Sequence, residues 1–150
     1  MNVDSWRIRK AKLADADALA SCIDAAYAQY AERISDLPPV SVGITEEIAN
    51  HQVWVAVEDD EIIGGLFLIA HNEAMKLANV AVHPEHSGRG VGGELIALSE
   101  REAKRQGYIE MRLNTHIAMP ENIRFYTRLG WKVVSTNGTT VSMTKRLADD

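Results

Sequence analysis

The densest chemical signal in the chain is the run Val80-Ala-Val-His-Pro-Glu-His-Ser-Gly-Arg-Gly-Val-Gly-Gly93. A β-branched stretch ends, the glycines Gly88, Gly90, Gly92 and Gly93 crowd together, and a helical pattern begins. The first turn of a helix has unpaired N–H groups and the positive end of its dipole. Glycines let that backbone approach an anion closely. Arg89 adds a side chain able to make a charge-assisted hydrogen bond. Phosphate or diphosphate binding is the chemistry this suits. A turn needing glycine only for its dihedrals is the plainer alternative, and four glycines exceed what one turn requires.

Other chemical patterns fail on context. Gly88, Gly90 and Gly93 match G-x-G-x-x-G, with Glu110 about 20 residues on, as a dinucleotide-binding unit wants. Yet only 62 residues follow Gly88, the preceding strands read as a hairpin, and His-Pro-Glu-His-Ser separates strand from loop. An NAD-binding fragment is therefore disfavoured. No Gly-Lys-Ser/Thr follows, so the P-loop pattern fails too. His83 and His86 lack a third ligand and flank Pro84, so no metal site is expected. His51 and His71 have no partner in sequence.

The elements that must carry this loop are legible. Trp6–Ala11 reads as a strand. Asp15 reads as an N-cap, with Leu19, Ile23, Ala26 and Tyr30 on one stripe of a helix. Asp36-Leu-Pro-Pro39 breaks that pattern, and Thr45-Glu46-Glu47 caps a short second helix. Val53–Val57 and Ile62–Ile69 form a hairpin across Asp59-Asp60, and Leu77–Val82 is a further strand. Val91, Leu95, Leu98 and Glu102 share a helical stripe ended by Gly107. A short strand Met111–Leu113 and a helix from about Glu121 to Arg128, ended by Gly130, come next. Trp131–Ser135 and Thr140–Lys145 flank Asn137-Gly138, a strong hairpin signal. The class is α+β with a mixed sheet, because hairpins force antiparallel neighbours.

Composition agrees with one domain over residues 1–150. The chain is 46% hydrophobic and 25% charged, without repeats or low-complexity segments. Its net charge of −5 disfavours nucleic acid as a partner. No apolar run reaches membrane-spanning length, and no signal peptide is visible. The single Cys22 forbids an internal disulfide and fits a reducing, cytoplasmic setting.

Val80 through Gly92 resembles the acyl-CoA-binding motif of the GNAT superfamily of N-acetyltransferases. Asn122-Ile-Arg-Phe-Tyr-Thr-Arg-Leu-Gly-Trp131 resembles that superfamily's second motif. The resemblance extends over nearly the whole chain. It implies a mostly antiparallel sheet flanked by helices, with a splayed central strand pair, and acetyl-CoA as cosubstrate. It assigns the backbone of Val80, Ala81 and Val82 to the pantetheine arm. The N–H groups of Gly88, Arg89, Gly90, Val91, Gly92 and Gly93 fall to the diphosphate. Asn122 and Tyr126 stand four apart, so they share a helix face, which in the family looks at the cofactor. Phe125 and Leu129 share a neighbouring, core-packing face. One position departs: the family usually has Gln or Arg before the first loop glycine, and here Ser87 offers a hydroxyl with less reach and no charge.

The implied reaction is attack of an amine on the acetyl thioester through a tetrahedral intermediate. A free backbone N–H on Leu77–Val82 supplies the oxyanion donor. Tyr126 protonates the thiolate. Phenol and thiol reference pKa values of about 10 and 8.5 leave full transfer uphill by roughly 2 kcal/mol. Glu73, His83 and His116 are the candidate bases, beside a water chain. Asn79 takes the polar position on the strand and orients a water. Tyr27 and Tyr30 are candidates for the acceptor pocket, and Trp54 reads as core. The acceptor is a small-molecule or peptide amine, and the acidic charge favours a cation by steering. A homodimer is left open. The alternative function is a non-catalytic acyl-CoA-binding or regulatory module.

Overall fold

The Asp59-Asp60 dipeptide forms the expected tight turn. Both residues are left-handed, with φ of 51° and 65°, as the common two-residue hairpin turn requires. The turn joins β2 (Gln52–Glu58) to β3 (Glu61–Ala70) in a computed structural model that describes residues 6–31, 34 and 43–147. The other elements are β1 (Arg7–Lys10), α1 (Ala16–Ala31), α2 (Ile44–Asn50), β4 (Met75–Val82), α3 (Val91–Arg105), β5 (Glu110–His116), α4 (Pro120–Arg128), β6 (Lys132–Asn137) and β7 (Thr140–Arg146). Single 3-10 turns occupy Leu13–Asp15 and Pro84–His86. No helix among the described residues is long and apolar enough to cross a membrane.

The strands form one sheet in the order β1-β2-β3-β4-β5-β7-β6. Every neighbouring pair is antiparallel except β4–β5. Alternation along β2 loads both faces. Val53, Val55 and Val57 pack with Leu19 and Ile23 of α1 and Ile44 of α2. Trp54 and Ala56 turn to the other face, with Val91, Leu95 and Ile96 of α3 and with Trp131. Leu19, Ile23 and Leu95 are wholly buried, and each such side chain contributes about 1.5–3 kcal/mol.

Two adjacent glycines of β3 set how closely the helices approach. A Cβ on Gly65 would stand 2.6 Å from Leu19 Cδ1, and one on Gly64 would stand 3.3 Å from Leu95 Cδ1 and Val91 Cγ1. Successive strand residues face opposite sides, so this pair admits α1 on one face and α3 on the other.

Five local expectations are corrected. Asp15 is not the N-cap of α1. The helical path starts a turn earlier, and the Asp15 carboxylate accepts the Lys12 N–H (2.7 Å) and pairs with Arg9 (2.8 and 3.1 Å). Left-handed Gly43, not Thr45, caps α2. On α3 the core line is Val91, Leu95, Ile96, Ser99 and Ala103, and Glu102 sits at its flank against Arg105. The strand at Met111 runs to His116, because β7 pairs along its whole length. The final hairpin turns at Gly138-Thr139, one residue later than read, with Gly138 left-handed. The Asp36-Leu-Pro-Pro39 break lies outside the described residues.

Both Gly107 and Gly130 end their helices in the same way. Tyr108 N–H reaches Ala103 O and Gly107 N–H reaches Lys104 O; Trp131 N–H reaches Tyr126 O and Gly130 N–H reaches Thr127 O. These bonds define the Schellman motif, which needs a left-handed residue, and Gly107 and Gly130 have φ of 94° and 97°. A Cβ on Gly130 would also press Lys145 at 3.3 Å, whose ammonium holds Leu129 O and Glu100. Gly130→Ala is therefore expected to lower the unfolding free energy by about 1–2 kcal/mol in urea titration, and by more than Gly107→Ala. An equal or smaller loss at Gly130 contradicts the Lys145 contact.

Candidate active site

β4 and β5 pair only at Met75–Met111 and Lys76–Arg112. Beyond Lys76 the two strands part, so the side of β4 facing β5 has no partner strand from Leu77 to Val82. An unpaired strand edge presents N–H and C=O groups for another extended chain to bond. A cleft of about 620 Å³ fills the gap, lined by Leu77–Val82 on one side and Leu113–His116 on the other. Opposite β3, the register passes from Phe67–Asn79 to Leu68–Leu77, so Ala78 is an extra, bulged residue. Ala78 lines the cleft as well.

At the wide end lies the glycine loop. Gly88 and Gly90 are left-handed, at φ of 80° and 85°, and the intervening Arg89 is not. This alternation of hand turns successive N–H groups toward one concavity that suits an anion. Gly90 is the N-cap of α3, so the helix's free N–H groups point the same way. Apart from the adjacent residues and the helix's own backbone, a Cβ on Gly88, Gly90 or Gly93 would meet no protein atom within 4 Å. Packing within the protein therefore does not demand glycine at these three positions, and the space beside the backbone is open. Gly88, Gly90, Val91, Gly92 and Gly93 all line the cleft, as do Val80, Ala81 and Val82.

Two loop side chains behave differently from expectation. The Arg89 guanidinium is not directed at the cleft: it grips both oxygens of Glu58 at 2.9 and 2.6 Å. Ser87 lines the cleft, but its hydroxyl donates to Pro84 O at 2.9 Å, so it is not held toward an incoming phosphate.

α4 brings Asn122 and Tyr126 to the same cleft. The Schellman end fixes the Tyr126 backbone, and Trp131 packs against its ring at a centroid distance of 5.9 Å. Burial, reinforced by the neighbouring phenols of Tyr27 and Tyr30, pushes the Tyr126 hydroxyl far above its usual pKa. It therefore stays protonated through the neutral range. Phe125 does not only pack in the core, as expected, but lines the cleft too.

Tyr27 and Tyr30 of α1 complete the wall, their rings 6.0 Å apart. Tyr27 donates its hydroxyl to Asn79 Oδ1 at 2.9 Å, and burial raises its pKa to about 12. That bond commits the Asn79 carbonyl to Tyr27. Trp54 is buried in the core as expected.

Of the three candidate bases, His116 alone lines this cleft. Its Nδ1 accepts the Ala118 N–H at 3.0 Å. The proton of the neutral ring then sits on Nε2, which makes that nitrogen a donor. Glu73 and His71 line a separate cavity at the other end of the β4–β5 junction. His83 accepts the Glu85 N–H on its loop. His83 and His86 stack edge to face, and no group of three metal-ligating side chains occurs among the described residues. Sequence reasoning missed Asn114, Thr115, Met119 and Thr140 of the lining. The only signal for the first two was β-branched Thr115 extending the strand past Leu113.

Comparison with known proteins agrees with this geometry. A family model described as an acetyltransferase (GNAT) domain matches residues 49–133. The spermidine N(1)-acetyltransferase of Thermoplasma acidophilum is 29% identical over 91 residues, which is 61% of this chain and 56% of that protein. The alignment thus spans a little over half of that relative's length. The crystal structure of PaiA N-acetyltransferase from Thermoplasma acidophilum with coenzyme A superposes with a TM-score of 0.83 at 24% identity, covering 95% of this chain and 99% of that one. An aminoglycoside 6'-acetyltransferase of type Ii gives 0.78 at 20% identity, covering 96% and 99%. The structures share the fold, and the family match takes in more than half of the chain: this protein belongs to the GNAT family of acetyltransferases.

Proposed function

We propose that this protein moves the acetyl group of acetyl-CoA directly onto a primary amine of a small molecule or peptide, with Tyr126 as general acid. One observation carries the reading. An unpaired strand edge, a glycine loop with converging N–H groups and a buried phenol meet in a single cleft. The edge at Val80–Val82 suits the amides of a pantetheine arm, the loop suits a diphosphate, and Tyr126 stands on the remaining wall beside Asn122. A spermidine-acetylating relative makes polyamines the first acceptors to try, and the net charge of −5 steers cations toward the protein.

The chemistry follows from the groups at hand. The bulge at Ala78 interrupts the ladder, so a backbone N–H there can stabilise the oxyanion. Burial raises the phenol's pKa above that of the free group. Tyr126 therefore shares its proton with the departing sulfur in the transition state rather than surrendering it beforehand. Among the described residues, the cleft lining contains no carboxylate. His116 is the candidate base in that lining, and its Nδ1 is engaged by the Ala118 N–H. Loss of the amine's proton to water instead costs about 4.6 kcal/mol at pH 7 for a lysine-like amine and about 1.4 kcal/mol for an α-amine.

Thiol release from acetyl-CoA with a panel of amines tests the reading. Thermal protection by acetyl-CoA without amine-dependent thiol release would instead favour a binding module. Gly90→Val is expected to weaken acetyl-CoA binding about tenfold or more, because a β-branched side chain blocks approach to the loop. Unchanged affinity in a folded variant removes the diphosphate cradle. Tyr126→Phe keeps that affinity and lowers kcat by about 10²–10⁴; a rate within about twofold of wild type leaves Tyr126 as a packing residue.

The pH profile has a definite sign. The neutral amine is the nucleophile, so kcat/KM rises as pH climbs toward the acceptor's own pKa. Tyr126, raised well above its usual value, does not turn the profile down between pH 7 and about 9.5. A fall within that window, lost in Tyr126→Phe, contradicts this account.

A further inference from the structure

We propose that Glu58 is a positioning residue for the diphosphate loop, acting through Arg89. The proposal rests on the reading that the loop holds the diphosphate of acyl-CoA. Glu58 ends β2, beside the Asp59-Asp60 turn and 31 positions before Arg89. Its carboxylate is 14% exposed and takes the guanidinium in a two-point grip, Nη1 to Oε1 at 2.9 Å and Nη2 to Oε2 at 2.6 Å. Nη1 also lies 2.9 Å from His86 Nδ1, which is 3.6 Å from the same Glu58 oxygen. The grip thus joins three points: the end of β2, the turn before the loop, and the loop itself.

The loop needs such an anchor. Arg89 sits between two left-handed glycines, and glycine is the residue with the most backbone freedom to lose. Neither Gly88 nor Gly90 has a side chain with which to hold a conformation, and no protein atom beyond the adjacent residues lies within 4 Å of where their Cβ atoms would be. Arg89 is the side chain between them, and a planar fork on a carboxylate fixes both distance and orientation. The pair is partly shielded, which strengthens it relative to a surface pair. A loop held in its alternating conformation before binding loses less entropy when it closes on a diphosphate.

The opposing arrangement has Arg89 as a direct phosphate ligand for which Glu58 merely competes. The two predict opposite signs. Titration calorimetry with coenzyme A on wild type, Glu58→Gln and the more conservative Glu58→Asp separates them. Positioning predicts that the Kd rises about tenfold in Glu58→Gln and less in Glu58→Asp. It also predicts that Glu58→Gln/Arg89→Met is no worse than the weaker single variant, since both lose one anchor. Tighter or unchanged binding in the Glu58 variants overturns the proposal. Steady-state kinetics add a readout that general damage would not spare. With acetyl-CoA, KM rises and kcat holds within about twofold, and with S-acetylpantetheine, which lacks the diphosphate, kcat/KM holds within about twofold. An equal loss with both donors overturns positioning. A wild-type protein that fails to bind coenzyme A overturns the functional reading and this proposal with it; wild-type binding that Glu58→Gln leaves unaltered overturns this proposal alone.

Discussion

Everything in the site depends on two neighbouring strands that pair and then separate. β4 and β5 share hydrogen bonds at Met75–Met111 and Lys76–Arg112 and nowhere beyond. A central strand with an unpaired edge is a cost in a folded protein, because its N–H and C=O groups lose their sheet partners. Here the same edge becomes the floor of a cleft. The remaining parts are arranged around it: α3 delivers the glycine loop to one end, α4 sets Tyr126 against the wall, and α1 contributes Tyr27 and Tyr30. The close approach of α1 and α3 depends in turn on Gly65 and Gly64, where a Cβ would crowd Leu19 on one face and Leu95 on the other.

The three phenols show how one environment sets several properties. Each lies in the wall of the cleft, and burial is the leading reason that Tyr126 and Tyr27 resist ionisation. Tyr27 is engaged with Asn79, which joins α1 to β4 across the cleft. Tyr126 is held from behind by Trp131 and by the left-handed Gly130. The second motif therefore has a physical meaning. Its Leu-Gly-Trp ending is a helix stop whose aromatic residue returns to pack on the tyrosine one turn back.

Much of the fold was legible because local signals coincided with tertiary ones. The stripe Leu19, Ile23, Ala26 and Tyr30 faces inward or into the cleft, and Asp59-Asp60 and Gly107 make the turns their chemistry favours. The loop glycines were legible for the same reason, since left-handed dihedrals leave a residue-type signature. What escaped depended on partners distant in sequence. Nothing near Arg89 reveals Glu58, so its guanidinium read as a phosphate ligand. Ser87 read as a donor because its hydroxyl's local bond to Pro84 O carries no sequence mark. Glu102 read as one stripe with Val91, Leu95 and Leu98 because periodicity alone does not locate the edge of a buried stripe. The extension of β5 to His116 comes from pairing with β7, and the bulge at Ala78 from pairing with β3.

Amide hydrogen exchange, compared with and without saturating coenzyme A, tests most directly the claim that the free edge of β4 is a binding surface. The account predicts new protection at Leu77–Val82 and Gly88–Gly93, while β2, bonded to strands on both sides, changes little. Saturable binding that leaves the amides of β4 exchanging as before would contradict it.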